Sequence, residues 1–94
     1  MAQTSRLGTV ATTVRTERDS TVIRYHSTDI VSFNAGTVRL CNNGYFTNTT
    51  RTRMNQASQQ FRLGFEVYQK DWAWYVKLPN GVTVDFTDGM VFNR

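Results

Sequence analysis

The 94-residue chain has one cysteine, one histidine and one proline, and each scarcity removes a class of function. A lone Cys41 leaves no intramolecular disulfide, the pattern of a reducing compartment. Cys41 and His26 cannot supply a conventional zinc site within one chain, so no metal and no cofactor is expected. No run approaches the roughly 20 apolar residues that span a bilayer, and the N-terminus lacks the apolar core of a secretory signal. A soluble, intracellular protein is the expectation. No glycine-framed nucleophile elbow or phosphate loop is present. His26 is the one conventional neutral-pH base. Asp29 could orient it, with Ser27, Thr28 or Cys41 as nucleophile. Such a pair more often ties down a turn, and Asp85 and Asp88 flank turns as a weak metal set. The chain is therefore read as no enzyme.

What is present points to a folded binding module. Apolar residues make up 39% of the chain and aromatics 13%. That supports a real core in one domain over residues 1–94, with residues 1–6 as a loose tail. The net charge of +4 is uneven. Residues 1–62 carry eight arginines against three acids, while residues 63–94 carry three cations against four acids. A basic pole of this kind attracts nucleic acid or an acidic protein surface.

Strand signals flank a single helix. Residues 7–14 alternate weakly, as an edge strand or an arm that Arg6, Arg15 and Arg18 could lay on phosphates. Thr21–Tyr25, Asp29–Phe33 and Thr37–Cys41 read as a meander, with a turn at Asn34-Ala35-Gly36. Asn42-Asn43-Gly44 is turn chemistry, and Thr47, Asn48 and Thr49 can each cap a helix. The helix is predicted over about residues 49–63, burying Met54, Ala57 and Phe61 and ending at Gly64. Phe65–Gln69 and Trp72–Leu78 form a hairpin about Lys70-Asp71. Alternation puts Trp72, Trp74 and Val76 on one face, and Tyr68 and Tyr75 with Lys70 and Lys77 on the other. Pro79-Asn80-Gly81 turns into a last strand at 82–86, and Met90–Phe92 adds an edge segment. The expected fold is α+β: one curved antiparallel sheet of about five to seven strands, order β-β-β-α-β-β-β, with the helix on one face.

A resemblance rests on Asn43-Gly44-Tyr45, Thr47, Thr49-Thr50, Arg53-Met54-Asn55, Val67-Tyr68-Gln69-Lys70-Asp71 and Trp74-Tyr75-Val76. Tyr25-His26-Ser27-Thr28-Asp29 fits an upstream Tyr-His-x-Thr-Asp segment. Over residues 22–76 the chain resembles a widespread group of small bacteriophage proteins. Their pattern is a Gly-Gly-Trp turn, a Thr-Thr-Lys-basic helix and a Val-Tyr-Gln-Lys-Asp hairpin ending Trp-Tyr-Val. Asn43, Tyr45 and Arg51 depart from it while keeping turn, aromatic and cation character. The resemblance implies a phage origin, action in the host cytoplasm and no particular activity.

Two binding functions compete. The helix carries Arg51, Arg53, Asn55 and Arg62 and no acid. With Arg39, Tyr45, Tyr68 and Lys70 it could contact nucleic acid by phosphate neutralisation and modest stacking. A solvated helix face explains the same residues. Alternatively, Tyr45, Phe46, Trp72 and the arginines suit an interface with a host enzyme or defence complex, as in an anti-CRISPR-like inhibitor, or within a virion. Nucleic acid is the narrow preference, with a monomer or homodimer and no membrane partner.

Overall fold

The computed structural model describes residues 11–94. The expected tail at residues 1–6, and the part of the first strand expected at residues 7–10, lie outside the described residues. Strands β1 (Thr12–Glu17), β2 (Ser20–Tyr25), β3 (Thr28–Phe33) and β4 (Thr37–Leu40) precede the helix α1 (Asn48–Gln60). Strands β5 (Glu66–Lys70), β6 (Ala73–Lys77), β7 (Thr83–Asp85) and β8 (Met90–Asn93) follow it. The α+β class and the single helix are as expected. The strands, however, form two antiparallel sheets rather than one: β1-β2-β3-β4-β8 and β5-β6-β7. The split arises because β5 does not return to β4. It lies along α1, and β8 takes the place beside β4, pairing Thr37 with Asn93 and Leu40 with Met90.

Two polar helix residues hold β5 there. The Asn55 amide donates to the Val67 carbonyl at 2.8 Å and accepts from the Val67 N–H at 2.7 Å. Ser58 Oγ donates to the Phe65 carbonyl at 2.6 Å and accepts from the Phe65 N–H at 3.1 Å. The helix thereby satisfies the outer edge of β5 as a neighbouring strand would.

Local chemistry accounts for the ends of α1. Thr47 is the N-cap, its side chain accepting from Thr50 N–H. The helix closes at Phe61, earlier than expected, because Arg62 (φ 54°) turns left-handed and Leu63 N–H donates to the Ser58 carbonyl at 2.8 Å. That 6→1 bond is the Schellman closure, normally built on glycine. Gly64 (φ +81°) is a second left-handed residue, and a Cβ there would stand 3.3 Å from the Pro79 Cβ. Glycine is needed for both reasons.

A register shift lies opposite Ile23 and Arg24: Ile23 faces Val31 and Arg24 faces Asp29, so Ile30 is the extra residue. This bulge sends Ile30 and Val31 both into the core and turns Asp29 outward. The core joins Ile23, Ile30, Val31, Val38 and Leu40 to Met54 and Ala57 of the helix and to Leu63, Phe65, Val67, Trp74 and Val76. Both sheets and the helix thus share one apolar cluster.

Candidate functional site

The helix cations are brought together less than their spacing suggests. Arg51 points toward β5 and β6, donating to Gln69 Oε1 at 2.7 Å and Asn48 Oδ1 at 3.0 Å, with its guanidinium 5.8 Å from the Trp74 ring centre. Arg53 points toward β1 and β2, donating to Thr12 Oγ1 at 3.1 Å and Gln56 Oε1 at 3.2 Å, and sits 5.9 Å from the Tyr25 ring. Two residues apart on a helix, the side chains diverge by more than half a turn. Asn55 is engaged with Val67. Arg62 is exposed at the helix end, beside Gly64, Glu66 and Lys77. Arg39 lies on the outward face of the five-stranded sheet. Tyr45 is exposed in the loop before α1.

On the outward face of the five-stranded sheet, two of the arginines are tied to acids. Asp29 accepts from Arg15 at 3.0 and 3.2 Å and from Arg24 at 2.8 Å, and Arg15 also pairs with Glu17 at 2.6 Å. The Arg15 and Arg24 hydrogen bonds hold the Asp29 carboxyl at about 2, and the hydrogen bonds to Asp29 and Glu17 raise the Arg15 guanidinium. Asp29 is therefore occupied by arginines, while His26 packs its ring 4.4 Å from Tyr25 in the β2–β3 turn. Cys41 is half-buried and free, beside a shallow basin that Arg39 also lines. Among the described residues no three His, Cys, Asp or Glu side chains cluster as a metal site would require. Among the same residues, no helix is long and apolar enough to cross a membrane.

The three-stranded sheet is different. Tyr68 and Tyr75 pair across β5 and β6 and stack at 5.7 Å and 30° on the outward face, with Lys70 and Lys77 on the same side, as alternation requires. Trp72 corrects the sequence reading. It does not share a strand face with Trp74; Lys70 pairs with Ala73, so Asp71 and Trp72 form a two-residue turn. Both have positive φ, 52° and 69°. This is the geometry of a type I′ turn, whose second central position usually holds glycine. Tryptophan there points away from the core and is 93% exposed.

Beside it, Phe46 (59% exposed) packs edge-on against Trp74 at 5.0 Å and Phe86 at 6.1 Å, and Trp74 meets Phe86 at 5.3 Å. A hollow of about 400 Å³ is lined by Phe46, Trp72, Trp74, Tyr75, Asp85 and Phe86. Its floor is buried aromatic and its walls are exposed aromatic. Phe46 and Trp72, which stood with Tyr45 in the protein-interface alternative, both line it. The aspartate before Trp72 was the one turn signal available, since Asp-Gly is a familiar hairpin pair.

No curated protein and no solved structure matches the chain. A family model does: that of the Kyanoviridae Gp96 protein matches residues 1–93. The chain belongs to this family of phage proteins.

Proposed function

We propose that this phage protein works by binding rather than catalysis, and that it grips a partner protein through the aromatic hollow at the tip of the three-stranded sheet. The observation that carries this reading is Trp72, 93% exposed on a left-handed backbone. Leaving a large aromatic side chain in water forgoes roughly 1.5–3 kcal/mol of burial, and the left-handed backbone costs a further ~1 kcal/mol. Neither cost helps the fold. Both are offset when a partner covers the ring, and Trp, Tyr and Arg are the residue types that dominate such contacts. Arg51, beside Trp74, supplies the cation at the rim. The partner that suits a phage product is a host enzyme, a defence complex or a virion protein.

The test is affinity capture from infected host cells with wild type, Phe46→Ser/Trp72→Ser and Arg51→Glu/Arg53→Glu. A protein held in stoichiometric amount by wild type and lost with the aromatic double variant supports the reading. Equal capture by that variant counts against it.

A second reading, contact with single-stranded nucleic acid, is favoured by one specific observation: the Tyr68–Tyr75 stack beside Lys70 and Lys77. Bases stack on such tyrosines while lysines neutralise phosphates. Glu66 and Asp85 share that face and weaken it. Titration with labelled single-stranded DNA and RNA at two salt concentrations decides it. Binding that weakens with salt and is lost in Tyr68→Ala/Tyr75→Ala supports nucleic acid, and absence of binding at low salt removes it.

A further inference from the structure

The loop before α1 and the β2–β3 turn border a cavity of about 460 Å³. Its lining includes Tyr25, Ile30, Asn42, Tyr45, Thr47 and Thr49. We propose that this cavity is a binding site for a small molecule carrying an oxyanion on a flat ring, the chemistry of a nucleoside monophosphate.

The first support is a buried donor without an acceptor. Asn42 is 1% exposed. Its Oδ1 accepts from Gly44 N–H at 3.0 Å, which fixes the amide orientation, because only an oxygen can face that donor. The opposite atom, Nδ2, is then an N–H donor, and it is buried with no partner. An unmet buried donor carries a desolvation cost that a ligand oxygen would relieve.

The second support is the start of α1, a 13-residue helix whose first turn contains no acid. Thr50 N–H is taken by Thr47 Oγ1 and Arg51 N–H by the Thr47 carbonyl, at 3.2 Å each. The amides of Thr49, which lines the cavity, and of its neighbour Asn48 have no acceptor among the described residues. With the positive end of the helix dipole they favour an anion.

The walls complete the selectivity. Tyr25, Tyr45 and Ile30 offer flat and apolar surface for a ring, and no carboxylate lines the cavity. Asp88 Oδ1 accepts the backbone N–H groups of Asn42 and Asn43, and Asp88 lines the neighbouring basin rather than this cavity. Asn42 is thereby held by its backbone and its oxygen, leaving its NH₂ for a ligand.

The experiment is a ¹H–¹⁵N NMR titration of the full chain with 5′-nucleoside monophosphates, the matching nucleosides and inorganic phosphate. Saturable shifts are expected at the Asn42 side-chain amide and the Asn48 and Thr49 N–H groups, with the nucleotide binding tighter than either fragment. Asn42→Asp keeps the oxygen for Gly44 but replaces the donor with negative charge, and should weaken binding about tenfold or more. Tyr45→Ala, at an exposed wall, should weaken the nucleotide while leaving inorganic phosphate unchanged and the fold intact. The proposal is overturned by no saturable shift, by equal binding of nucleotide and inorganic phosphate, or by equal binding in a folded Asn42→Asp protein.

Discussion

The seam between α1 and β5 and the tip of the β5–β6 hairpin use residue chemistry in opposite ways. In the seam, Asn55 and Ser58, polar residues on a helix, turn inward and complete the backbone bonding of β5. At the tip, Trp72 and Phe46, large apolar residues, stay outside the core. Polar groups hold the fold together and aromatic groups are left for contact. A residue type is thus a poor guide to role until its partners are known, and the site is best sought where a side chain is unmatched to its surroundings.

Breaking the seam should have the largest effect on stability. Asn55→Ala removes two hydrogen bonds and strands the N–H and C=O of the buried Val67. A loss of about 2–4 kcal/mol is expected in denaturant unfolding. The opposite behaviour is expected at the tip. Trp72→Gly suits the left-handed turn, so stability should hold or rise by up to ~1 kcal/mol, while partner binding should fall by about 2 kcal/mol or more in calorimetry. A Trp72→Gly protein that unfolds readily would show that the ring serves the fold after all.

These two expectations also mark how far the sequence could be read. The Asn34-Ala35-Gly36 turn, the Thr47 cap, the outward Tyr68 and Tyr75 and the Asn80-Gly81 turn follow from local rules, and they hold: Asn34 Oδ1 accepts from Gly36 and Thr37 N–H at 2.9 Å, and Gly81 N–H donates to the Leu78 carbonyl at 2.9 Å. The two-sheet division was not legible, because pairing β8 with β4 joins segments at opposite ends of the helix and no local pattern encodes it. Trp72 misled because tryptophan is a strand former and its turn position defies the usual glycine preference. By helical spacing Arg51, Asn55, Ser58 and Arg62 fall on one stripe, although Arg62 lies past the end of α1. Its middle members face β5, however, which periodicity alone does not reveal.

Arg51 sharpens the comparison because it bridges the two regions, bonded to Asn48 and Gln69 while facing Trp74. Arg51→Gln should cost under ~1 kcal/mol of stability, since the side chain is partly exposed, yet weaken partner binding several-fold by the same calorimetric assay.

The smallest effect belongs to the outward face of the five-stranded sheet. Asp29 has its carboxyl lowered from 3.8 to about 2 by Arg15 and Arg24. A depressed carboxylate stabilises the fold fully above its unfolded value, and that contribution is lost as pH falls from about 3.8 through 2. The side chain is 37% exposed, so solvent screening keeps the contribution under ~1 kcal/mol. Thermal melts between pH 2 and 5 should show wild type losing slightly more stability than Asp29→Asn across that window.

The central claim is that Trp72 is held out of the fold for a partner. Fluorine NMR of 5-fluorotryptophan protein tests it directly, because Trp74 is 5% exposed and Trp72 is 93% exposed. In the free protein one resonance should respond to exchange of H₂O for D₂O and the other should not. On addition of the captured partner protein, the solvent-sensitive resonance should shift or broaden and lose that sensitivity. Two solvent-protected tryptophans in the free protein, or a Trp72 signal unchanged by a partner that binds, would contradict the account.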